Sequence, residues 1–364
     1  MTYADCLSYL EKIQDQGIKF GLENVRAILD FFDNPHRKFP SVLVAGSNGK
    51  GSVCAMLTSI LTLQGFRAGL YTSPHLVSPE ERIRVGARPI PEADFCALIQ
   101  RLKAGIERLI DENTLEAPPT YFEFMTCLAF LYFAEKSVDI SVLEVGMGGR
   151  FDATNVVQPV ISVITTISAE HQQYLGRTLS RIAFEKAGII KPGVPVICGE
   201  RKKSARETIL SRAGALGAPF VDVFPVRGSL KRRKTQKGYV CRFRSSEDDY
   251  EFTAALPGAH QCVNAAVAVV SSEHLSRLWR PVKKDSIIRG IETVKWDGRL
   301  EIISYDPLIL LDGAHNEAGA RALRAYLGTF VQTERILVFA AMRDKKIERM
   351  ADILFPLAGN VILT

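Results

Sequence analysis

Lys50 and Ser52 stand one residue apart at the end of a glycine-rich stretch, Gly46-Ser47-Asn48-Gly49-Lys50-Gly51-Ser52. An ammonium there can reach the terminal phosphates of a nucleotide, and the hydroxyl points at the phosphate and its metal. The glycines let backbone N–H groups turn inward around phosphate oxygens, so Asn48, Gly49 and Gly51 belong to the same cradle. An apolar run, Val42 to Ala45, leads in. An apolar-periodic stretch from Val53 to about Gln64 leads out, and Gly65 stops it. Strand, glycine turn, lysine, hydroxyl and helix are the ordered parts of a P-loop, and the helix N-terminus adds positive potential. The spacing is tighter than usual, with two residues between Gly46 and Gly49-Lys50 and a glycine before the serine. Glycine-rich strand-to-helix turns also occur without phosphate, but Lys50 together with Ser52 favours a nucleotide.

Other candidates follow β-rich runs. Glu144 ends Ile140–Val145 and precedes Gly146-Met147-Gly148-Gly149-Arg150. A carboxylate at the end of a strand in a P-loop sheet is where a magnesium-directing acid belongs, because Mg²⁺ wants hard oxygens plus phosphate. His171 follows the run 160–167. Taken alone it is as readily a surface or core histidine as a ligand. Ser73 follows a strand at Arg67–Tyr71, and alone it reads as a serine opening a turn before Pro74. Lys186 reads as a cation near a helix C-terminus, where the dipole favours it. His260, Gln261 and Asn264 open a helix, plausibly as caps, and Asp312-Gly313-Ala314-His315-Asn316 ends a strand in the second half. No Ser/His/Asp or Cys/His set suggests a covalent nucleophile.

The elements that must position these residues alternate. Short helices at 4–13 and 22–32 precede the first strand. Helices at 91–111, 119–136, 178–187 and 204–216 then alternate with strands at 140–145, 160–167, 194–198 and 219–223. That rhythm predicts a mostly parallel sheet with helices on both faces and ligands at the carboxyl ends of its strands. Residues 226–255 read as an antiparallel hairpin whose basic cluster, Lys231 to Lys237, sits at a solvated tip. Helices at 260–272 and 284–294 close a first domain, 1–295. Trp296-Asp297-Gly298-Arg299 reads as a hinge to a second, 296–364, with strands at 300–304, 307–312, 335–341 and 361–363 and helices at 317–327 and 344–353. This second domain stops on a strand and reads as incomplete.

Composition sets the bounds. Hydrophobic residues are 47% and charged residues 24%, ordinary for a soluble globular protein. Net charge is +6, which suits an anionic small ligand and is too dispersed to argue for nucleic acid. Seven scattered cysteines without a CxxC pair read as reduced thiols of a cytoplasmic protein. No run reaches membrane-spanning length and the N-terminus lacks a signal-peptide pattern.

These motifs together resemble the folylpolyglutamate synthase/dihydrofolate synthase branch of the ADP-forming Mur ligase superfamily. The residues that carry the resemblance are the Gly46–Ser52 loop, Thr72-Ser73-Pro74-His75-Leu76, Glu81-Arg82-Ile83, Thr120–Phe124, Leu143–Asn155, His171 with Leu175-Gly176, Glu185–Ile189, His260-Gln261 with Asn264, Trp296 with Gly298–Glu301, and Leu311–Asn316. The match runs essentially end to end. It implies a P-loop α/β domain plus a smaller Rossmann-like α/β domain, ATP at the loop, magnesium held by Ser73, Glu144 and His171, and a second Mg²⁺ ligated by a carbamate on Lys186. It implies nucleotide contacts from Asn264, Arg299 and Asp312, a cleft-facing His315, and a carbamylated Lys186. Phe122, Glu123 and Phe124, with Phe151, Asp152 and Ala153, are implied to face the pterin. The implied reaction joins L-glutamate to dihydropteroate or a reduced folate through an acyl phosphate, in a monomer with no nucleic-acid or membrane partner. Ser47, Glu170 and Gln173 depart from the family's usual Thr, Asp and acid. Another Mur-type ligase, or a nucleotide-binding protein without ligase activity, is the alternative.

Overall fold

The structure, a computed structural model, describes residues 1–14, 17, 21–236, 238–331, 333–342 and 345–364. Its frame is an eight-stranded sheet. The strands are β1 (Ser41–Ala45), β2 (Ala68–Tyr71), β3 (Ile83–Val85), β4 (Arg88–Pro89), β5 (Ile140–Glu144), β6 (Ile161–Ile164), β7 (Val196–Cys198) and β8 (Phe220–Asp222). Their order is β4-β3-β2-β5-β1-β6-β7-β8. The pairings from β2 to β8 are parallel, while β3 and β4 add an antiparallel edge that the sequence reading omitted. Those two strands are short and carry Arg84, Arg88 and Pro89, residues that suit an exposed edge.

Every residue of β1 is buried, because both faces of the sheet are covered. Val42 and Val44 pack with helices Lys50–Leu63 and Ala259–Leu278 on one side. Leu43 and Ala45 pack with helices Glu92–Asp111 and Tyr121–Glu135 on the other. The alternation of strand side chains thus divides one apolar run between two cores.

Where a hairpin is expected, 226–255 forms a three-stranded antiparallel sheet, β9 (Leu230–Thr235), β10 (Gly238–Arg244) and β11 (Asp249–Thr253). Its Cys241, Phe243, Tyr250 and Phe252 are buried against the main body. The basic residues lie along β9 rather than at a tip, and Lys237 lies outside the described residues. Two are committed within the protein: Arg232 donates to Ala259 O at 3.3 Å and Lys234 Nζ to Thr329 O at 2.8 Å.

Beyond Trp296 come β12 (Glu301–Tyr305) and β13 (Leu308–Leu311), an antiparallel pair, then β14 (Ile336–Phe339) and β15 (Asn360–Leu363), a parallel pair. Helices Glu317–Phe330 and Ile347–Leu354 cover a small core of Leu300, Ala320, Leu323, Phe339, Met350, Ile353 and Leu354. No helix among the described residues is long and apolar enough to cross a membrane.

Candidate functional site

The phosphate loop leaves the carboxyl end of β1. Gly49 has φ +87, and a Cβ there would lie 2.3 Å from Asn264 Oδ1, so only glycine fits. The following helix begins at Lys50, three residues before the apolar periodicity suggests, because the left-handed turn at Gly49 is its N-terminal boundary. No side chain caps this end, which leaves the first-turn N–H groups available to an anion. Ser47 N donates to Thr166 O at 2.7 Å, and Thr165 Oγ1 donates to Asn48 O at 2.8 Å, fixing the loop against β6. Ser52 Oγ accepts from Gln261 Nε2 at 3.2 Å, and Gln261 Oε1 accepts from Asn264 Nδ2 at 2.9 Å. Helix Ala259–Leu278 therefore reads out both ends of the loop, a link from Gln261 that sequence spacing did not reveal.

Glu144 ends β5 and is 5% exposed, so it is no surface loop acid. Its Oε2 accepts from Ser73 N at 3.2 Å. Burial raises its pKa, while the Lys50 ammonium pulls it down. A buried carboxylate with so little hydrogen bonding is costly unless a cation offsets it. A Cβ on Gly51 would lie 3.4 Å from Glu144 Oε2 and 3.2 Å from Trp296 Nε1, so carboxylate, loop and interdomain tryptophan converge. The donor set fits Mg²⁺, since Glu144 and the Ser73 hydroxyl are hard oxygens beside a phosphate loop. Three His, Cys, Asp or Glu side chains do not cluster anywhere among the described residues. Any ion here would also draw on phosphate and water oxygens. His171 sits apart from β6 on a backbone turn with φ 44, opening the short helix Gln172–Leu175.

Lys186 is 2% exposed, at the end of helix Leu179–Lys186. Its Nζ lies 2.8 Å from Glu170 Oε1 and donates to Gly46 O at 2.8 Å. The lysine that reads from sequence as a helix-end cation is therefore buried against the phosphate loop. Burial lowers its pKa, opposed by Glu170. Burial alone would raise Glu170, but the Lys186 and Lys50 ammoniums outweigh it and hold that carboxyl at about 2.

The second domain faces the loop with one compact unit. Asp312 Oδ2 accepts from Leu300 N at 3.0 Å and its Oδ1 from Ala314 N at 3.0 Å, while Gly313 N donates to Gly298 O at 2.9 Å. Arg299 Nη1 donates to Gly298 O at 3.0 Å within the same unit. Burial raises Asp312 and lowers His315, whose Nδ1 lies 3.0 Å from Gly313 O. His260, beside Leu300 through Gly258, is pushed down to about 4 by burial and the Arg299 charge. A cavity of about 130 Å³ opens between the domains, bounded by Glu170, His171, His315, Asn316 and Lys346.

The residues expected to face the pterin differ in exposure. Phe124 is fully buried in the core, and Ala153 is 3% exposed. Glu123 Oε2 accepts from Thr120 N at 2.7 Å and from Thr120 Oγ1 at 2.9 Å, closing the first turn of helix Tyr121–Glu135. The Thr-x-x-Glu spacing carried that capping-box signal in the sequence. Asp152 accepts from Gly146 N at 2.9 Å, Met147 N at 3.0 Å and Thr154 N at 3.0 Å, so it organises the loop after β5. Phe122 is half-buried with its ring 5.9 Å from Tyr71, and Phe151 is exposed under the Arg150 guanidinium at 4.5 Å.

The Mur ligase middle domain matches residues 44–272, and the glutamate ligase domain of the Mur ligases matches 298–364. A dihydrofolate synthase/folylpolyglutamate synthase of Bacillus subtilis is 36% identical over 353 residues, 96% of this chain and 82% of that protein. The Mycobacterium tuberculosis folylpolyglutamate synthase complexed with ADP and AMPPCP superposes with a TM-score of 0.90 at 32% identity, covering 99% of this chain and 82% of that one. An FPGS–AMPPCP–folate complex superposes with a TM-score of 0.90 at 30% identity, over 100% of this chain and 89% of that one. With the loop, the buried acid after β5 and the two facing domains in place, the chain belongs to the folylpolyglutamate synthase/dihydrofolate synthase family of Mur ligases.

Proposed function

We propose that this chain is an ADP-forming amide ligase that adds L-glutamate to the carboxylate of a folate or of dihydropteroate. The observation that carries the reading is Glu144, buried with little hydrogen bonding beside a left-handed Gly49 turn and an uncapped helix N-terminus. ATP phosphates fit the N–H groups of Asn48 to Ser52, with Lys50 beside the terminal phosphate. Asn264 lies against Gly49 on the nucleotide side, and Arg299 and Asp312 approach from the second domain.

Glu144, Ser73 and His171 would hold Mg²⁺, which supplies charge neutralisation on phosphate oxygens. A substrate carboxylate oxygen attacks the γ-phosphorus and ADP leaves, giving an acyl phosphate. The glutamate amine attacks the acyl carbon, loses a proton, and inorganic phosphate leaves as the amide forms. Lys50 and Arg299 offset the charge spread over the transferring phosphoryl group. His315 lines the cleft and Lys186 bonds to the loop, where both would act on the transfer. Facing domains exclude water that would hydrolyse the acyl phosphate.

Carbamylation of Lys186 belongs to the same reading. Burial favours the neutral amine that would take up CO₂. A carbamate beside Glu170 would bring two anions together, which a second Mg²⁺ would offset. We assign the protein to the cytoplasm, a reading supported by its free cysteines, six of them buried. ADP release is the test, measured with glutamate and either dihydropteroate or tetrahydrofolate. Glutamate-dependent release with one of them is expected, and nucleotide binding without any such release would overturn the reading.

A further inference from the structure

Asn316 divides one carboxamide between two domains. Its Oδ1 accepts from Gly319 N at 2.9 Å and caps helix Glu317–Phe330. Its Nδ2 crosses the cleft and donates to Asn48 Oδ1 in the phosphate loop, also at 2.9 Å. Asn316 is 6% exposed and Asn48 is half-buried, so the bond is partly shielded from water. The path continues inward: Asn48 Nδ2 donates to Ser168 Oγ at 2.9 Å, and Ser168 N donates to Ser47 Oγ at 3.0 Å. An unbroken run of hydrogen bonds therefore joins the second domain to the loop and to the segment carrying Glu170 and His171.

The far end of the same helix is fastened separately. Lys234 Nζ donates to Thr329 O at 2.8 Å, and the Phe330 ring lies 5.0 Å from that ammonium and 5.6 Å from the Tyr239 ring. Both ends of the helix touch the first domain, but of these two fastenings the Asn316 end is the one that reaches the phosphate loop. Asn316 is also continuous with Asp312, Gly313 and Ala314, which are bonded to Gly298 and Leu300 on either side of Arg299. Moving Asn316 relative to Asn48 therefore moves Arg299, Asp312 and His315 relative to the loop.

We propose that Asn316 is a positioning residue whose bond to Asn48 sets the second domain's register on the phosphate loop. The proposal rests on the ligase reading, and its role is to bring Arg299 and Asp312 to bear on the transferring phosphate. A buried amide left without its partner is costly, so the register is discrete rather than sliding.

Asn316→Ser separates the two functions, because serine still caps the helix but is too short to reach Asn48. The expected result is a loss of about tenfold in kcat for glutamate-dependent ADP release, the size of one net hydrogen bond. Binding of a non-hydrolysable ATP analogue should stay within about twofold, and melting should be unchanged. The double variant Asn48→Ala/Asn316→Ser should be no slower than Asn48→Ala alone, since both remove one bond. Lys234→Met, which frees the far end of the helix, should leave kcat near wild type. Amide exchange in 46–52, measured without substrate, should quicken in Asn316→Ser and not in Lys234→Met. An unchanged kcat in Asn316→Ser, additive losses in the double variant, or unaltered exchange in 46–52 would overturn the proposal. A loss of melting temperature that tracks the loss of rate would do the same, by reducing Asn316 to a cap. An inactive wild type would instead defeat the ligase reading, and the exchange measurement would still decide the register.

Discussion

The two domains use the same kinds of element at different densities. In the large sheet, β1, β2, β5 and β6 are buried along their whole length. In the second domain, Leu308, Ile309 and Leu311 of β13 and Ile336 and Val338 of β14 are exposed, and the core is seven buried residues. The first domain carries the groups whose placement must be rigid: the phosphate loop, Glu144 and the Lys186–Glu170 pair. The second contributes Arg299, Asp312 and His315 from one loop unit that docks on the first. The contrast is that of an anvil and a jaw. Charge is stabilised by dipoles fixed in advance in the anvil, and the jaw needs only correct register.

Substitutions can break or sharpen that contrast. The largest effect is expected at Glu144→Ala, which removes the buried acid from the rigid half. Turnover in the ADP-release assay should fall by about 10²–10³-fold or more, while melting holds or rises because an incompletely bonded carboxylate has been removed. A variant that keeps its rate would take Glu144 out of the chemistry. Next comes Leu43→Ala, fully buried within β1, which should lower unfolding free energy in denaturant by about 2–5 kcal/mol. Thr120→Ala opens the capping box that holds Glu123, and a loss of about 1 kcal/mol is expected by the same method. Smallest is Ile336→Ala, 67% exposed on β14, which should fall within about 0.5 kcal/mol. If Ile336→Ala cost as much as Leu43→Ala, the second domain would be as tightly built as the first and the contrast would fail.

Much of this was legible in the chain. The P-loop reads from Gly46, Gly49, Lys50 and Ser52 because each supplies a property no other residue type combines in so short a span. The parallel sheet reads from apolar runs alternating with amphipathic ones. Residue type alone does not give location: Phe124 is core, Glu123 closes a helix turn and Asp152 holds a loop. The edge strands β3 and β4 escaped notice because three- and two-residue strands leave no periodicity to detect.

By itself the sequence determined which groups can bind phosphate and where the helices and most strands lie, because those depend on local backbone preference and on apolar spacing within a few residues. Tertiary structure alone decided the pairings across the chain: Lys186 with Glu170 and Gly46, Gln261 with Ser52, and Asn316 with Asn48. The last of these partners lie 268 positions apart. Nothing in local spacing encodes such a contact. It exists because burial of two apolar cores and one interdomain face brings those amides together where water is partly excluded, and leaving the buried one unpaired would be costly.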